Sequence, residues 1–270
     1  MLIGVNGIRL NVKLAGTGPP LMLLHGFTGG CENWRPLLPS LCRQYQVILV
    51  DLIGHGFSEA PADFMRYSMD YAVQDLLRIV DCFGFQKINL LGYSLGGRCA
   101  LRFAVQAPER LNALVLESSS PGIADAAERE ARRLSDEALA DWIEQRGVAA
   151  FVERWTNLAL FATQQQLPDA VKNEVRRQRL QNRAGGLANS LRGMGTGAQS
   201  SLWESLPEMK IPALLLAGSG DAKFQQIGLL MEDLLPAANF EVIPQAGHTV
   251  HLEQPELFTN RVTDFLALYN

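Results

Sequence analysis

A serine stands between two glycines in the segment GYSLG, which covers residues 92–96 and follows an apolar run. The apolar run is typical of a buried strand, and the residues after Gly96 have helical periodicity. A serine at a sharp strand-to-helix turn is raised above the sheet edge, beside backbone N–H groups at the start of the helix. G-x-S-x-G alone also fits a simple tight turn. With a strand before it and a helix after it, the segment favours a nucleophile elbow that presents Ser94.

A reactive serine needs a base, and the chain contains four histidines, His25, His55, His248 and His251. Histidine suits this role because it titrates near neutral pH. His248 lies in the segment PQAGHTVHLEQP, just after the last predicted strand, where a loop can place its imidazole over Ser94. His251 is the nearest competitor but lacks a preceding glycine, and His25 is interpreted as structural. We therefore expect His248 to be the base.

The acid that orients the base is predicted to be Asp221, which follows the apolar segment LLLAG and a glycine-rich turn. A carboxylate there can hold the second imidazole nitrogen and stabilise the charged ring. The chain order Ser94, Asp221, His248 is the order expected on this type of sheet. Asp51 and Glu117 also end predicted strands and are rivals for the role. Asp51 precedes the glycine-rich LIGHGFS and is expected to join loops by hydrogen bonds.

Negative charge that develops during a reaction needs hydrogen-bond donors. The segment HGFTGG, residues 25–30, follows the first core strand, and its glycines allow the backbone to approach a substrate closely. The backbone N–H groups of Phe27 and Leu95 are therefore predicted to form an oxyanion hole. Each such donor contributes roughly 10²- to 10³-fold in rate.

A cation, Arg98, follows Ser94 by four residues and lies on the same face of the predicted helix. A buried charge is unfavourable unless it is paired, so Arg98 indicates an anionic ligand. Guanidinium groups hold carboxylates in bidentate fashion, and two or three arginines near Arg98 would form a pocket for a dianion. Most of the other arginines in this part of the chain are expected to be solvated and paired with glutamates. The full set is Arg129, Arg132, Arg133, Arg176, Arg177, Arg179, Arg183 and Arg192.

Short apolar runs alternate with helical stretches, which predicts an α/β fold with a mostly parallel sheet and helices on both faces. An earlier segment, RLNVKL, alternates apolar and polar residues and predicts a half-exposed antiparallel hairpin at the edge. The predicted strands are Pro20 to Gly26, Gln46 to Asp51, Lys87 to Ser94, Asn112 to Ser118, Pro212 to Asp221 and Asn239 to Pro244. The predicted helices are Asp70 to Cys82, Leu95 to Gln106, Gln225 to Leu235 and Pro255 to Tyr269.

The alternation is interrupted between Pro121 and Pro207, where no strand is predicted. One helix there is expected over residues 136–147, capped by Ser135 or Asp136 and terminated by Gly147. We expect residues 1–121 and 208–270 to form a hydrolase core, and residues 122–207 a helical lid inserted in it.

Composition and charge argue against several functional classes of protein. The chain of 270 residues has a formal net charge of −4 and 47% hydrophobic residues, which fits a globular enzyme and offers no basic footprint for nucleic acid. No secretory signal and no apolar run long enough to span a bilayer is visible, so a cytoplasmic protein without membrane insertion is expected. A monomer is expected because nothing in the sequence demands a larger assembly. The four cysteines show no metal spacing and are expected to be buried free thiols. No metal or cofactor is expected.

Several motifs together resemble the 2-succinyl-6-hydroxy-2,4-cyclohexadiene-1-carboxylate synthase family, a branch of the α/β-hydrolase superfamily. GYSLGGR, SPG and LRGMGTG are specific to the resemblance, while the elbow, the triad loops and HGFTGG are common to the superfamily. DLIGHG departs slightly, with Ile53 where many relatives have proline. The motifs are LHGFTGG…W (24–34), DLIGHGFS (51–58), GYSLGGR (92–98), LESSSPG (116–122), RRLSDEALA (132–140), GLANSLRGMGTGAQSSLW (186–203), GSGDAKF (218–224) and AGHTVHLEQP (246–255).

The resemblance implies a lyase of menaquinone or phylloquinone biosynthesis that needs no cofactor. Such an enzyme eliminates pyruvate from 2-succinyl-5-enolpyruvyl-6-hydroxy-3-cyclohexene-1-carboxylate, a small polycarboxylate, and leaves a conjugated diene. Ser94 would then remove a ring proton, and the Phe27 and Leu95 N–H groups would hold the carboxylate on which charge develops. The residues implied as substrate ligands are Arg98, Arg132, Arg179, Tyr93 and Trp155.

Two other functions fit the same residues. A carboxylesterase or carbon–carbon bond hydrolase would use Ser94 as a nucleophile, accumulate an acyl-enzyme and depend little on Arg98. A ligand-sensing protein on the same fold would be stabilised by a ligand without forming product.

Overall fold

The central element is an eight-stranded sheet in a computed structural model that describes residues 1–269. Its strands are Leu2–Val5 (β1), Ile8–Ala15 (β2), Pro20–Leu24 (β3), Gln46–Val50 (β4), Ile88–Tyr93 (β5), Leu111–Glu117 (β6), Ala213–Gly218 (β7) and Ala238–Ile243 (β8). They lie in the order β1-β2-β4-β3-β5-β6-β7-β8. The pairs β1/β2 and β2/β4 are antiparallel, whereas all other neighbours are parallel.

Helices cover both faces of this sheet. They are Leu38–Leu41 (α1), Met69–Cys82 (α2), Leu95–Gln106 (α3), Ala126–Thr156 (α4), Asp169–Leu180 (α5), Ala184–Met194 (α6), Ala222–Leu234 (α7), Val250–Glu253 (α8) and Pro255–Leu266 (α9). Short 3-10 segments cover Cys31–Leu37, Phe64–Tyr67, Pro108–Arg110, Ala159–Gln166 and Trp203–Glu208.

Strand β3 shows why the central strands are almost continuously apolar. Met22 and Leu24 join the core under α2 and α3, whereas Leu21 and Leu23 join the core on the opposite face with α9. Successive side chains of a strand point to opposite faces, so a strand covered on both sides needs apolar residues at every position. The predicted α/β architecture, with a mostly parallel sheet between two helical layers, is therefore confirmed.

The first two strands form the antiparallel hairpin at the sheet edge that the alternation in RLNVKL predicts. A two-residue turn joins them, in which Asn6 and Gly7 have φ of 42° and 86°. Asn-Gly suits such a turn because both central residues adopt positive φ. The hairpin pairs with β4 and leaves the parallel strands in the middle of the sheet.

Residues 122–207 contain α4, α5 and α6 and no strand. The expected helix start at Ser135 or Asp136 is wrong, because α4 begins at Ala126 and the Asp125 carboxylate accepts the Glu128 N–H at 2.8 Å. Asp136 is instead buried and accepts hydrogen bonds from Arg132 Nε and the Gly197 N–H. Gly147 does interrupt helical geometry, with φ of 78°, but the chain resumes a helix and ends at Thr156.

The cysteines are free thiols, as expected, but only Cys31 and Cys99 are buried. The expectation is wrong for Cys82, which is exposed near the end of α2, and Cys42 is half-buried. Among residues 1–269, no helix is long and apolar enough to cross a membrane.

Candidate active site

The turn between β5 and α3 places Ser94 in a strained backbone conformation, with φ of 51° and ψ of −107°. Its N–H donates to the Glu117 carbonyl oxygen at 2.9 Å, which joins the turn to the end of β6. A Cβ atom at Gly92 would overlap the carbonyl oxygen of Gly96, and one at Gly96 would overlap that of Leu24. The two glycines are therefore required for the close approach of α3 to the sheet.

His248 lies between Ser94 and Asp221. Its Nε2 is 3.2 Å from Ser94 Oγ, and its Nδ1 is 2.7 Å from Asp221 Oδ2. Because the carboxylate accepts a hydrogen bond, Nδ1 carries a proton and Nε2 is free to accept the proton of Ser94. His248 and Asp221 are both nearly inaccessible to solvent. This arrangement can deprotonate the serine and stabilise the resulting imidazolium.

These three residues reach one point because parallel strands end at the same edge of the sheet. Ser94 follows β5, Asp221 follows β7, and His248 lies after β8. The Phe224 ring, in the first turn of α7, lies 4.8 Å from the His248 ring, and the Tyr93 ring lies 5.5 Å from it. Packing thus holds the imidazole plane in addition to its two hydrogen bonds.

The rival acids have other partners. Asp51 accepts hydrogen bonds from the Phe57 N–H and from Asn11 Nδ2, each at 2.9 Å, and so joins loops. Glu117 Oε2 is 2.7 Å from Nδ1 of His251. His25 accepts the Leu52 N–H at 3.0 Å inside the core.

Phe27 and Leu95, whose backbone N–H groups are the predicted donors, both line the cavity that contains Ser94. Neither group has a hydrogen-bond partner within residues 1–269. Leu95 opens α3, and the first N–H groups of a helix have no partner in the helix itself. Asn182 fixes the Phe27 loop, because its Nδ2 donates to the Thr28 carbonyl oxygen at 2.8 Å. The sequence analysis did not find Asn182, since this contact crosses 154 residues.

The cavity above Ser94 has a volume of about 250 Å³. Sheet loops form its floor, and side chains of the inserted helices form its roof. The roof includes Trp155, Phe161, Ser190 and Met194. Nε1 of Trp155 and Oγ of Ser190 are buried without a hydrogen-bond partner, so both can serve a ligand.

Arg98 is a half-buried cation on the wall of this cavity. Its Nη1 donates to the Met194 carbonyl oxygen at 2.8 Å and to Gln199 Oε1 at 2.7 Å. Burial lowers the pKa of Arg98 to about 10, which keeps the guanidinium charged at neutral pH. No carboxylate of residues 1–269 forms an ion pair with it. A bound anion would supply the missing counter-charge.

The other two predicted arginines differ in their position relative to the cavity. Arg132 lines the cavity, although its Nε also donates to Asp136 Oδ1 at 2.8 Å. Arg179 is buried outside the cavity lining, where its Nη1 donates to Thr156 Oγ1 at 3.0 Å. Its guanidinium lies 4.8 Å from the centre of the Phe161 ring, and Phe161 itself lines the cavity.

Tyr93 and Trp155 both line the cavity. The Tyr93 hydroxyl is 2.8 Å from Thr249 Oγ1, and Trp155 packs edge-on against Phe27 at 5.3 Å. The sequence analysis overlooked Lys223, which also lines the cavity. Its place two residues after Asp221, at the start of α7, is the signal that could have identified it.

Residues 1–269 contain no group of three or more His, Cys, Asp or Glu side chains arranged to hold a metal ion. The cavity is lined instead by hydrogen-bond donors, cations and aromatic rings, which suits an organic anion.

Known proteins resemble this chain over nearly its whole length. The family model for the α/β-hydrolase fold matches residues 19–255. A Bacillus subtilis (strain 168) protein provisionally named 2-succinyl-6-hydroxy-2,4-cyclohexadiene-1-carboxylate synthase is 44% identical over 97% of this chain and 96% of its own. A Serratia proteamaculans (strain 568) protein of that name is 32% identical, with 92% and 93% covered. The solved structure of MenH from S. aureus gives a TM-score of 0.92 at 36% identity, with 96% and 98% covered.

Proposed function

The chain belongs to the 2-succinyl-6-hydroxy-2,4-cyclohexadiene-1-carboxylate synthase family of α/β hydrolases, and from this membership we propose that it is a pyruvate-eliminating lyase. Its substrate would be 2-succinyl-5-enolpyruvyl-6-hydroxy-3-cyclohexene-1-carboxylate, an intermediate on the route to menaquinone or phylloquinone. The observation that carries the proposal is the unpaired cation Arg98 in the cavity of Ser94 and His248.

The proposed reaction uses Ser94 as a base. His248 Nε2 takes the Ser94 proton, and Ser94 Oγ removes the proton from the ring carbon that bears the succinyl group. The electron pair forms a new ring double bond, the existing double bond shifts, and the bond from the ring to the enolpyruvyl oxygen breaks. The leaving enolpyruvate becomes pyruvate when a proton reaches its methylene carbon. Asp221 stabilises the imidazolium that forms.

The donors of the cavity have separate roles in this proposal. The N–H groups of Phe27 and Leu95 hold the substrate oxygen on which negative charge develops. Arg98 and Arg132 hold substrate carboxylates, because guanidinium binds carboxylate with two parallel hydrogen bonds. Arg179 would reach the substrate only after a displacement of Phe161, so we assign it to the support of that ring.

The helices of residues 122–207 are proposed to act as a lid over a core of residues 1–121 and 208–270. The support is that they supply the roof of the cavity. A closed site excludes water, which strengthens the electrostatic interactions that stabilise a carbanion-like transition state. The cytoplasmic location and the monomeric state stay predictions from the sequence.

Pyruvate release tests the proposal. The enolpyruvyl substrate is generated enzymatically in situ, the purified chain is added, and pyruvate is measured together with the ultraviolet absorbance of the diene. We expect stoichiometric formation of both, reduced roughly 10³-fold or more in Ser94→Ala. Arg98→Ala should also lose activity, whereas Arg133→Ala should not, because Arg133 is a half-exposed arginine paired with Glu130.

The alternatives give different results. An esterase or carbon–carbon bond hydrolase would cleave p-nitrophenyl esters with an acyl-enzyme burst and would not accelerate pyruvate release. A ligand-sensing protein would be stabilised by a dicarboxylate and form no product. Either result would contradict the proposed function.

A further inference from the structure

A second buried carboxylate–imidazole pair lies beside the Asp221–His248 pair. Glu117 Oε2 is 2.7 Å from His251 Nδ1, and Glu117 Oε1 accepts the His251 backbone N–H at 3.0 Å. Both side chains are almost completely inaccessible to solvent. The proposed chemistry uses neither residue, and neither lines the cavity.

The pair joins chain segments that must be held together for catalysis. The Glu117 carbonyl oxygen accepts the Ser94 N–H at 2.9 Å, so the residue that binds His251 also binds the serine turn. His251 lies in α8, three residues after His248. Glu117 therefore forms a bridge of hydrogen bonds from the Ser94 backbone to the segment that carries His248.

Aromatic packing fixes the orientation of the His251 ring. The Trp34 ring lies 4.4 Å from it at 35°, and the Tyr93 ring lies 4.9 Å from it in an edge-on arrangement. Trp34 belongs to the segment after the Phe27 loop, and Tyr93 immediately precedes Ser94. His251 thus contacts Tyr93, the residue next to Ser94, and Trp34 from the segment after the Phe27 loop.

The backbone that flanks His248 is also held by Glu253. Its carboxylate accepts the Gly247 N–H at 2.9 Å and the Thr249 N–H at 3.3 Å. Glu253 therefore holds the backbone on both sides of His248. The Glu117–His251 contact adds a link from this segment to the serine turn, because Glu117 also accepts the Ser94 N–H.

Stability alone does not explain a buried carboxylate in this position. Removal of a carboxylate from water is unfavourable, and well-packed apolar residues of similar volume are often as stable or more stable. A buried charged group that accepts two hydrogen bonds does, however, impose one geometry on its partners. This argument favours a role in positioning over a role in packing.

We propose that Glu117 and His251 are positioning residues that set the distance between His248 Nε2 and Ser94 Oγ. They do not touch the reacting atoms and act through the His248 segment. The inference rests on the proposed role of Ser94 and His248, but it applies to any reaction in which this pair activates the serine.

Three variants test the proposal. Glu117→Gln keeps the shape of the side chain but replaces one accepting oxygen with a donor. His251→Phe keeps a ring between Trp34 and Tyr93 and removes the Nδ1–H. Asp75→Asn is the matched control, because Asp75 is a buried carboxylate bonded to Arg66 at 2.7 Å in another part of the core.

Two activities are measured in each variant at a temperature where unfolding curves show it folded. The first is kcat and KM for pyruvate release. The second is covalent labelling of Ser94 by diethyl p-nitrophenyl phosphate, in which Ser94 Oγ forms a bond to phosphorus, p-nitrophenolate leaves, and His248 takes the serine proton. Released p-nitrophenolate gives the rate, intact mass gives the stoichiometry, and Ser94→Ala is the blank.

We expect kcat and the labelling rate to fall about 10- to 100-fold in Glu117→Gln and His251→Phe, with little change in KM. The double variant should lose no more than the worse single one, because the two residues act as a unit. Asp75→Asn should lower the unfolding midpoint and leave both activities unchanged.

Wild-type rates in folded Glu117→Gln, additive losses in the double variant, or failure of the native chain to label would overturn the inference. If the native chain labels at Ser94 but releases no pyruvate, the proposed function fails, and the labelling rates of the variants still decide the role of the pair.

Discussion

Asp221 determines which nitrogen of His248 carries a proton. The contact of 2.7 Å from its carboxylate to Nδ1 leaves Nε2 unprotonated at 3.2 Å from Ser94 Oγ. An imidazole with the opposite tautomer would present an N–H to Ser94 and could not accept its proton. In the proposed reaction, the ability of His248 to accept the Ser94 proton depends on this one buried hydrogen bond.

Asp221→Asn should therefore leave the fold intact and lower kcat by roughly 10⁴-fold, because the amide favours the wrong tautomer of His248. KM should change little, since Asp221 lies beneath the imidazole and does not line the cavity. The measurement is steady-state pyruvate release. In a Ser94→Ala background the same substitution should cause almost no further loss, and an additive loss would contradict the assignment.

At the scale of elements, the position of Ser94 depends on how closely α3 approaches the sheet. The approach is possible because Gly96 has no side chain at the point where α3 meets the Leu24 carbonyl oxygen. Gly97 makes a similar contact, since a Cβ atom there would lie 2.6 Å from Ser119 Oγ. The same small residues are thus required for the serine turn and for the packing of α3.

Gly96→Ala should destabilise the chain by at least about 2 kcal/mol, because backbone atoms on the far side of the contact cannot move aside as a side chain can. Gly185→Ala is the control. Gly185 is exposed in α6, and a Cβ atom there meets nothing within 4 Å, so the substitution should stabilise by up to about 1 kcal/mol. Urea unfolding measures both. Equal effects of the two substitutions would show that the close contact is absent.

At the scale of the whole molecule, two buried histidines link stability to pH. The rings of His25 and His55 lie 5.1 Å apart with no solvent exposure. Burial lowers the pKa of His25 below 6.5 and lowers the pKa of His55 to about 3. Between the unfolded pKa of 6.5 and the lower folded pKa of each ring, the unfolded state binds protons that the folded state does not. Stability therefore decreases as the pH falls.

The free energy of unfolding should accordingly fall between pH 6.5 and pH 5, and His55 should contribute about 1.4 kcal/mol per pH unit well below its unfolded pKa. Urea unfolding at several pH values measures the slope, and His55→Gln should make it shallower even if it lowers stability throughout. An unchanged slope in the variant would mean that His55 is protonated in the folded chain.

Local sequence patterns predicted the elements that depend on nearest neighbours. The bounds of α3 agree with the predicted Leu95 to Gln106, because its turn, its glycines and its apolar face lie within one short segment. The central strands agree for a similar reason: each is a short apolar run between turn residues. The start of α4 was predicted at the wrong residue, since Asp136 caps no helix and is bonded to Gly197, 61 residues away, while Asp125 supplies the cap.

By itself the sequence determined the fold class and the kinds of side chain present at the sheet edge, because these follow from hydrophobic periodicity and from short motifs. It left Glu117 and Asp51 as rivals of Asp221 and could not say which arginines of residues 122–207 meet the cavity. Tertiary structure decided both points. Glu117 pairs with His251 across 134 residues, and Arg179 lies against Phe161 while Arg132 lines the cavity. Partners so distant in the chain are selected by packing, which no local pattern encodes.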